Sequence, residues 1–259
     1  MITVVKVGTS TVTHASGDPN MRLLVKLARV LSDLAARGHY IVLVTSGAIA
    51  VGIAKMNLSE RPADLPGKQA AAAVGQCALM HTYDSVFSDY GRTVAQILLS
   101  RRDLEHEPSR QNLLNTFNTL FALQSVVIVN ENDSVSAEEI EDCGMIFGDN
   151  DRLSAEVAAL LNADLLVLLS DIDAVYDGDP RENANAKPLA KIHAVDDVLR
   201  ACAQGPGSAR GTGGMMTKLQ AAEICLTHGI EMVIAHGGEP DVLYDIIDGK
   251  NVGTRFLAL

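Results

Sequence analysis

Two short clusters of carboxylates and amides frame the chemistry open to this chain. Asn130-Glu-Asn-Asp133 follows the apolar run Ser125-Val-Val-Ile-Val129, and Gly148-Asp-Asn-Asp151 opens the helix-like segment Arg152-Leu-Ser-Ala-Glu-Val-Ala-Ala-Leu-Leu161. A strand exit and a helix entrance are places where ligands bind. Asp, Asn and Gly are equally turn and cap formers, so the clusters alone do not decide. Two lysines narrow the choice. Lys6 lies in the otherwise apolar Val4-Val5-Lys6-Val7, where a buried ammonium needs a charge partner or a ligand. Lys218 falls in the first turn of a helix, where a cation opposes the helix dipole and an anionic ligand would account for it. Asp151 is the natural partner of both lysines, and the three together suit a phosphoryl group.

The glycines point the same way. Gly8, Gly47 and the run Gly211-Thr-Gly-Gly-Met-Met-Thr-Lys218 follow strands or precede a helix, where a backbone without Cβ can approach a phosphate. Gly47-Ala-Ile-Ala-Val-Gly52 has P-loop spacing, but Ile53-Ala54 stands where Lys-Ser/Thr is required, and no G-x-G-x-x-G follows a strand. A flexible linker is the simpler reading of Gly205–Gly214 taken alone. No nucleophilic triad stands out around Ser46, the seven histidines are scattered, and Val175 breaks the calcium-loop pattern that Asp171 and Asp173 begin.

The elements that must position these residues alternate. Apolar runs Ile2–Val7, Tyr40–Thr45, Thr93–Leu99, Val126–Val129, Asp164–Leu169, Glu231–Ala235 and Thr254–Ala258 read as strands, with a short one over Leu189–His193. Helices are expected after Asp18-Pro19-Asn20, which supply a cap and a first-turn proline, and over Lys68–Tyr90 with a possible break at Gly75. Further helices are expected over 112–123, 152–162, 195–203, 215–228 and 240–247, and residues 55–67 read as a loop. This alternation predicts an α/β fold, a three-layer αβα sandwich on a mostly parallel sheet. Ligands in such sheets sit at the carboxyl ends of strands, and here those exits carry Lys6-Val-Gly-Thr9, Ser46-Gly47, Asn130–Asp133 and Ser170-Asp171. The acidic excursion 134–147 reads as a solvated loop or hairpin. A change of texture near residue 171 divides a single domain, 1–259, into two halves.

Composition bounds the remainder. Of 259 residues 47% are hydrophobic and only 4% aromatic, so Ala, Val, Leu and Ile must fill the core. A net charge of −11 argues against nucleic acid or an anionic membrane as partner, so cations must be focused locally to receive an anion. Four dispersed cysteines, no signal peptide and no apolar span of membrane length indicate a cytoplasmic protein.

These residues resemble the amino acid kinase family. The matching blocks are Val5-Lys-Val-Gly-Thr-Ser10, Val44-Thr-Ser-Gly-Ala-Ile-Ala50, Val129-Asn-Glu-Asn-Asp133, Phe147-Gly-Asp-Asn-Asp-Arg-Leu-Ser-Ala155, Gly211–Lys218 and Val252-Gly-Thr-Arg-Phe256. The lysine-glycine blocks are shared across the superfamily, while the two Asn/Asp clusters are similar to the branch that acts on L-glutamate. The resemblance implies ATP-dependent phosphorylation of the glutamate side-chain carboxylate, with Mg²⁺ carried by ATP rather than by protein side chains, as the first step of proline synthesis. It implies Lys6, Asp151 and Lys218 as catalytic, and Ser46, Asp133, Asp149 and Asn150 as glutamate-binding. Lys6, Gly8, Gly47, Ser170, Asp171, Gly211, Thr212, Gly213, Gly214, Met215, Met216, Thr217 and Lys218 are implied to hold ATP. The acceptor side would then occupy the half up to about residue 170 and the nucleotide side the half from about 171. A homo-oligomer, dimer or tetramer, and a glutamyl phosphate reductase as partner are further implications. Three departures stand out: no room for the PUA module such kinases often carry, a long acidic 133–148 linker, and Met216 where serine is usual. Alternatives are a kinase of N-acetylglutamate, aspartate or carbamate, or a non-catalytic amino-acid sensor on the same fold.

Overall fold

The computed structural model describes residues 1–135, 150–178, 183, 185–202 and 214–258. The chain runs β1 (Ile2–Val7), α1 (Thr9–Val12), α2 (Met21–Ala36), β2 (Tyr40–Val44), α3 (Ala48–Lys55), α4 (Leu65–Ser88) and β3 (Val94–Leu99). It continues through α5 (Arg101–Glu105), α6 (Glu107–Ala122), β4 (Val126–Glu131), α7 (Asn150–Leu161) and β5 (Leu165–Ser170). The last elements are β6 (Lys191–Ile192), α8 (Asp197–Cys202), α9 (Met215–Thr227), β7 (Glu231–His236), α10 (Val242–Ile247) and β8 (Thr254–Phe256). All eight strands join one sheet in the order β3-β4-β2-β1-β5-β7-β8-β6. Every pairing among the described strands is parallel except β7 with β8, so β8 and its parallel neighbour β6 run against the others.

Strand residues alternate between two apolar layers. Val4, Val42, Val129, Leu166 and Leu168 face one core with Phe117 of α6, Val157 of α7 and Leu219 of α9. Val5, Val7, Leu43, Ile128 and Val167 face the other with Leu27 of α2, Leu79 of α4 and Leu243 of α10. Sheets buried on both faces need such near-continuous Val/Ile/Leu runs, and the three-layer sandwich is what the run pattern predicts. Among the described residues, no helix is long and apolar enough to cross a membrane.

Several boundaries differ from the sequence expectations, each for a local reason. α2 starts at Met21, with Asn20 as its cap accepting from the Leu23 N–H, while Pro19 stays outside and pairs with Thr13. α4 starts at Leu65 inside the expected loop, because Asp64 caps it and Pro66 in its first turn needs no donor. α4 also passes through Gly75 unbroken. A Cβ there would lie 1.8 Å from the Ala48 carbonyl oxygen, and one at Gly52 would lie 1.8 Å from that of Ala71. The two glycines therefore let α3 and α4 pack backbone against backbone. α6 begins at Glu107, ahead of any apolar periodicity, with Pro108 in its first turn. α7 begins at Asn150, so Asn150 and Asp151 of the second cluster lie within its first turn, ahead of the expected start at Arg152. The acidic excursion lies outside the described residues beyond Val135.

Candidate active site

The order of strands reverses between β1 and β5: β2 lies on one side of β1, and β5 with β7 on the other. Loops leaving β1 and β5 therefore part at their carboxyl ends and open a crevice. A cavity of about 410 Å³ lies there, lined by Ser10 and Asn20 after β1, Ser170 and Asp171 after β5, and His236 at the end of β7.

Lys6 points from the end of β1 to the start of α7, where its Nζ lies 2.5 Å from Asp151 Oδ1. Lys218 Nζ, from the first turns of α9, lies 3.1 Å from Asp151 Oδ2. Thr217 Oγ1 lies 3.2 Å from the same Oδ2 and 2.9 Å from the Gly214 carbonyl oxygen, and its one hydrogen is given to either. Asp151 is fully buried, with Lys6 and Lys218 under one-tenth exposed. Burial pushes the Asp151 carboxyl up, but the two ammonium groups outweigh it and hold the group below the ordinary carboxylate range. A carboxylate bound on both oxygens fixes two cations at the carboxyl end of the sheet. That geometry is costly for stability and useful for an anion.

Beside this triad stands a set of amides. Asn150, next to Asp151 on α7, donates from Nδ2 to the Thr45 carbonyl at 2.6 Å, Ser46 Oγ at 2.8 Å and Asn130 Oδ1 at 3.0 Å. Asn130 Nδ2 donates to Gln76 Oε1 on α4 at 2.8 Å, and Thr45 Oγ1 meets the buried Tyr83 hydroxyl at 2.7 Å. Both Asn130 and Gln76 are buried.

Of the residues singled out in the sequence, Lys6, Asp151 and Lys218 meet at one point, and Ser46 and Asn150 meet at another beside it. Gly8 caps α1, and Gly47 has φ +95°, with Val12 and Thr13 of the α1 segment 3.1–3.2 Å from where its Cβ would stand. Both the conformation and the contact require glycine, and they bring the loops after β1 and β2 together. Ser170 Oγ donates to Asp171 Oδ1 at 3.0 Å, on the cavity wall. Gly214 precedes α9 with an extended backbone, and Met215 and Met216 in the helix's first turn pack against the adjacent core. Asp133 lies in the turn after β4, while Asp149, Gly211, Thr212 and Gly213 fall outside the described residues. Gln76 was missed. Its signal is a polar residue in register with Ala72, Leu79 and Tyr83, on the face of α4 that is otherwise apolar.

The junction suits a phosphate group: two ammonium groups converge on one carboxylate, a Cβ on Gly8 would stand 3.7 Å from Lys6 Nζ, and Thr217 adds a hydroxyl. Among the described residues no three His, Cys, Asp or Glu side chains come together as a candidate metal site.

The profile of the amino acid kinase family matches residues 1–236. The chain is 50% identical to glutamate 5-kinase of Clostridium perfringens, across 98% of this chain and 94% of that one. It is 48% identical to glutamate 5-kinase of Symbiobacterium thermophilum, across 98% and 94%. Glutamate 5-kinase of Caldanaerobacter subterraneus is 45% identical across 99% of this chain but only 68% of its own length. The fold is also similar to that of T. acidophilum isopentenyl phosphate kinase, with a TM-score of 0.64 at 17% identity, covering 99% of this chain and all of that one. With its sheet order, its Lys6–Asp151–Lys218 junction and these relatives taken together, the chain belongs to the amino acid kinase family, in the branch of the glutamate 5-kinases.

Proposed function

We propose that the protein transfers the terminal phosphoryl group of ATP to the side-chain carboxylate of L-glutamate, giving glutamyl 5-phosphate, the first step of proline synthesis. The observation that carries this reading is the convergence of Lys6 and Lys218 on the two oxygens of Asp151, directly beside the Asn150–Ser46 pair.

The chemistry suits such a site. A glutamate side chain of ordinary pKa about 4.3 is already ionised at neutral pH, so no base has to remove a proton. One carboxylate oxygen attacks the terminal phosphorus, the bond to the bridging oxygen breaks, and ADP leaves. The obstacle is bringing an anion onto a polyanion, so catalysis is positioning and charge neutralisation. Lys6 and Lys218 meet the oxygens of the transferring group, and Asp151 keeps both ammoniums charged and in place. Mg²⁺, bound to the ATP phosphates, supplies further neutralisation there. Ser46 and Asn150 receive glutamate from the donor side, Asp133 and Asp149 suit its α-ammonium, and Gly8 and Gly47 leave room for phosphates. Ser170, Asp171 and the 211–218 segment hold the nucleotide. Residues up to about 170 thus serve the acceptor and those from about 171 the nucleotide.

The product is a labile acyl phosphate, so a reductase of glutamyl phosphate is its fitting consumer, and a homo-oligomer and a cytoplasmic setting suit the reading. Incubation with ATP, Mg²⁺ and each candidate acid, followed by hydroxylamine trapping, tests it. Hydroxamate should form from glutamate and not from N-acetylglutamate, which lacks the ammonium that Asp133 would bind. Absence of product from glutamate, or equal product from both, sinks the reading.

A further inference from the structure

Four side chains beside the triad form a directed relay, and its direction can be read from one end. The Thr45 backbone carbonyl can only accept, so the Asn150 atom 2.6 Å away must be Nδ2. That amide nitrogen also faces Asn130, which must therefore present Oδ1 to it at 3.0 Å. Asn130 then has Nδ2 on its far side, and Gln76 receives it through Oε1 at 2.8 Å. The chain ends at Gln76 Nε2, which is shielded from solvent and has no acceptor among the described residues. A buried donor left without a partner costs stability and calls for an explanation.

We propose that Gln76 is a positioning residue for the acceptor substrate: its Oε1 locks the Asn130 amide, which in turn orients Asn150 and Ser46. This rests on the reading of Ser46 and Asn150 as the glutamate-binding pair. Without an acceptor at position 76 the Asn130 amide loses the contact that fixes its plane, and its Oδ1 is no longer held in line with Asn150 Nδ2. Asn150 has two N–H groups for three acceptors, so it has no spare contact with which to resist. The Ser46 hydroxyl depends on this arrangement. Because its oxygen accepts from Asn150 at 2.8 Å, its own hydrogen remains to be given to an incoming carboxylate. Gly75 explains why the relay starts on α4. Backbone contact of Gly75 with Ala48 places its neighbour Gln76 against the segment that carries Ser46. The unpaired Nε2 is thus the cost of putting an amide, whose other atom is needed, inside a helix interface.

The test compares Gln76→Met, which keeps the volume and removes the acceptor, with Gln76→Glu, which keeps an acceptor oxygen. In Gln76→Met the KM for glutamate should rise about tenfold, the factor one misplaced hydrogen bond is worth. KM for ATP should hold. Tm should also hold, because one buried unpaired donor (Gln76 Nε2) is exchanged for another (Asn130 Nδ2). Gln76→Glu should bring KM for glutamate back to within about threefold of the parent. An unchanged KM in Gln76→Met, no recovery in Gln76→Glu, or a joint rise of both KM values with a fall in Tm would each overturn the relay. Side-chain amide NMR provides a readout that needs no turnover: the Asn150 NH₂ pair should shift and broaden in Gln76→Met, and unmoved signals would overturn the proposal. If the parent protein makes no acyl phosphate from glutamate, the functional reading fails, and the amide signals still judge the relay.

Discussion

Lys6 Nζ stands 2.5 Å from Asp151 Oδ1, with the lysine side chain 9% and the aspartate 1% exposed. A strand end and a helix start are joined there by a charge pair out of reach of water, and Lys218 closes the other oxygen of the same carboxylate. Buried ion pairs seldom repay their desolvation, so such a junction is poor stabilisation and fits a place that meets an anionic ligand.

Removing one cation should separate function from fold. Lys218→Met leaves the Lys6–Asp151 pair and fills the same volume. Turnover should fall by about 10²–10³-fold, the usual loss when one group that stabilises developing charge is deleted. Circular dichroism should show the fold unchanged. A rate within a few-fold of the parent would remove Lys218 from the mechanism.

Removing the carboxylate should cost both. Asp151→Asn keeps the shape but leaves two buried ammoniums without their shared counter-charge. Stability should drop by about 3–5 kcal/mol in denaturant melts, and activity should be abolished. An Asn variant as stable as the parent would show that the lysines draw their balance from elsewhere.

The pH dependence follows from the same carboxyl. Lys6 and Lys218 hold it below the unfolded value of about 3.9. Its contribution to stability is therefore complete above about pH 4 and is lost as pH falls through the lower folded value. The stability gap between parent and Asp151→Asn should accordingly be constant from pH 5 to 8 and close on acidification below about pH 4. Turnover itself should be flat over pH 6–8, since no base near neutrality takes part; a bell-shaped profile centred there would contradict the mechanism.

Gly75→Ala tests the helix contact. The added Cβ would fall 1.8 Å from the Ala48 carbonyl oxygen, a backbone atom that cannot swing away. Overpacking of this kind should cost about 3 kcal/mol or more and lower Tm by about 10 °C. Gly38→Ala, which meets nothing within 4 Å but has φ +91°, should cost only the smaller conformational penalty.

Thiol labelling distinguishes the two cysteines whose surroundings are described. Burial pushes the Cys225 thiol up to about 12, and Cys77 is exposed on α4. Alkylation at pH 8 should mark Cys77 in the native protein and Cys225 only after denaturation, as peptide mass mapping would show.

The sequence by itself determined the alternation of strands and helices, and it singled out Lys6, Asp151 and Lys218, which the fold brings together at the strand exits. Those features are local: apolar period, glycine at a turn, a lysine stranded in an apolar strand. It misjudged helix starts at Leu65 and Glu107, because proline and an aspartate cap set them without help from apolar periodicity. Tertiary structure alone decided which oxygen of Asp151 each lysine takes, and that Asn150 faces Ser46 rather than solvent. It also decided that Gln76, one polar residue in an alanine-rich helix, reaches Asn130 across 54 positions. The physical reason is one of range. Propensity and pattern act over a turn or two of chain, whereas the direction of a buried amide is settled by partners that only the packed sheet and its two helix layers bring within 3 Å.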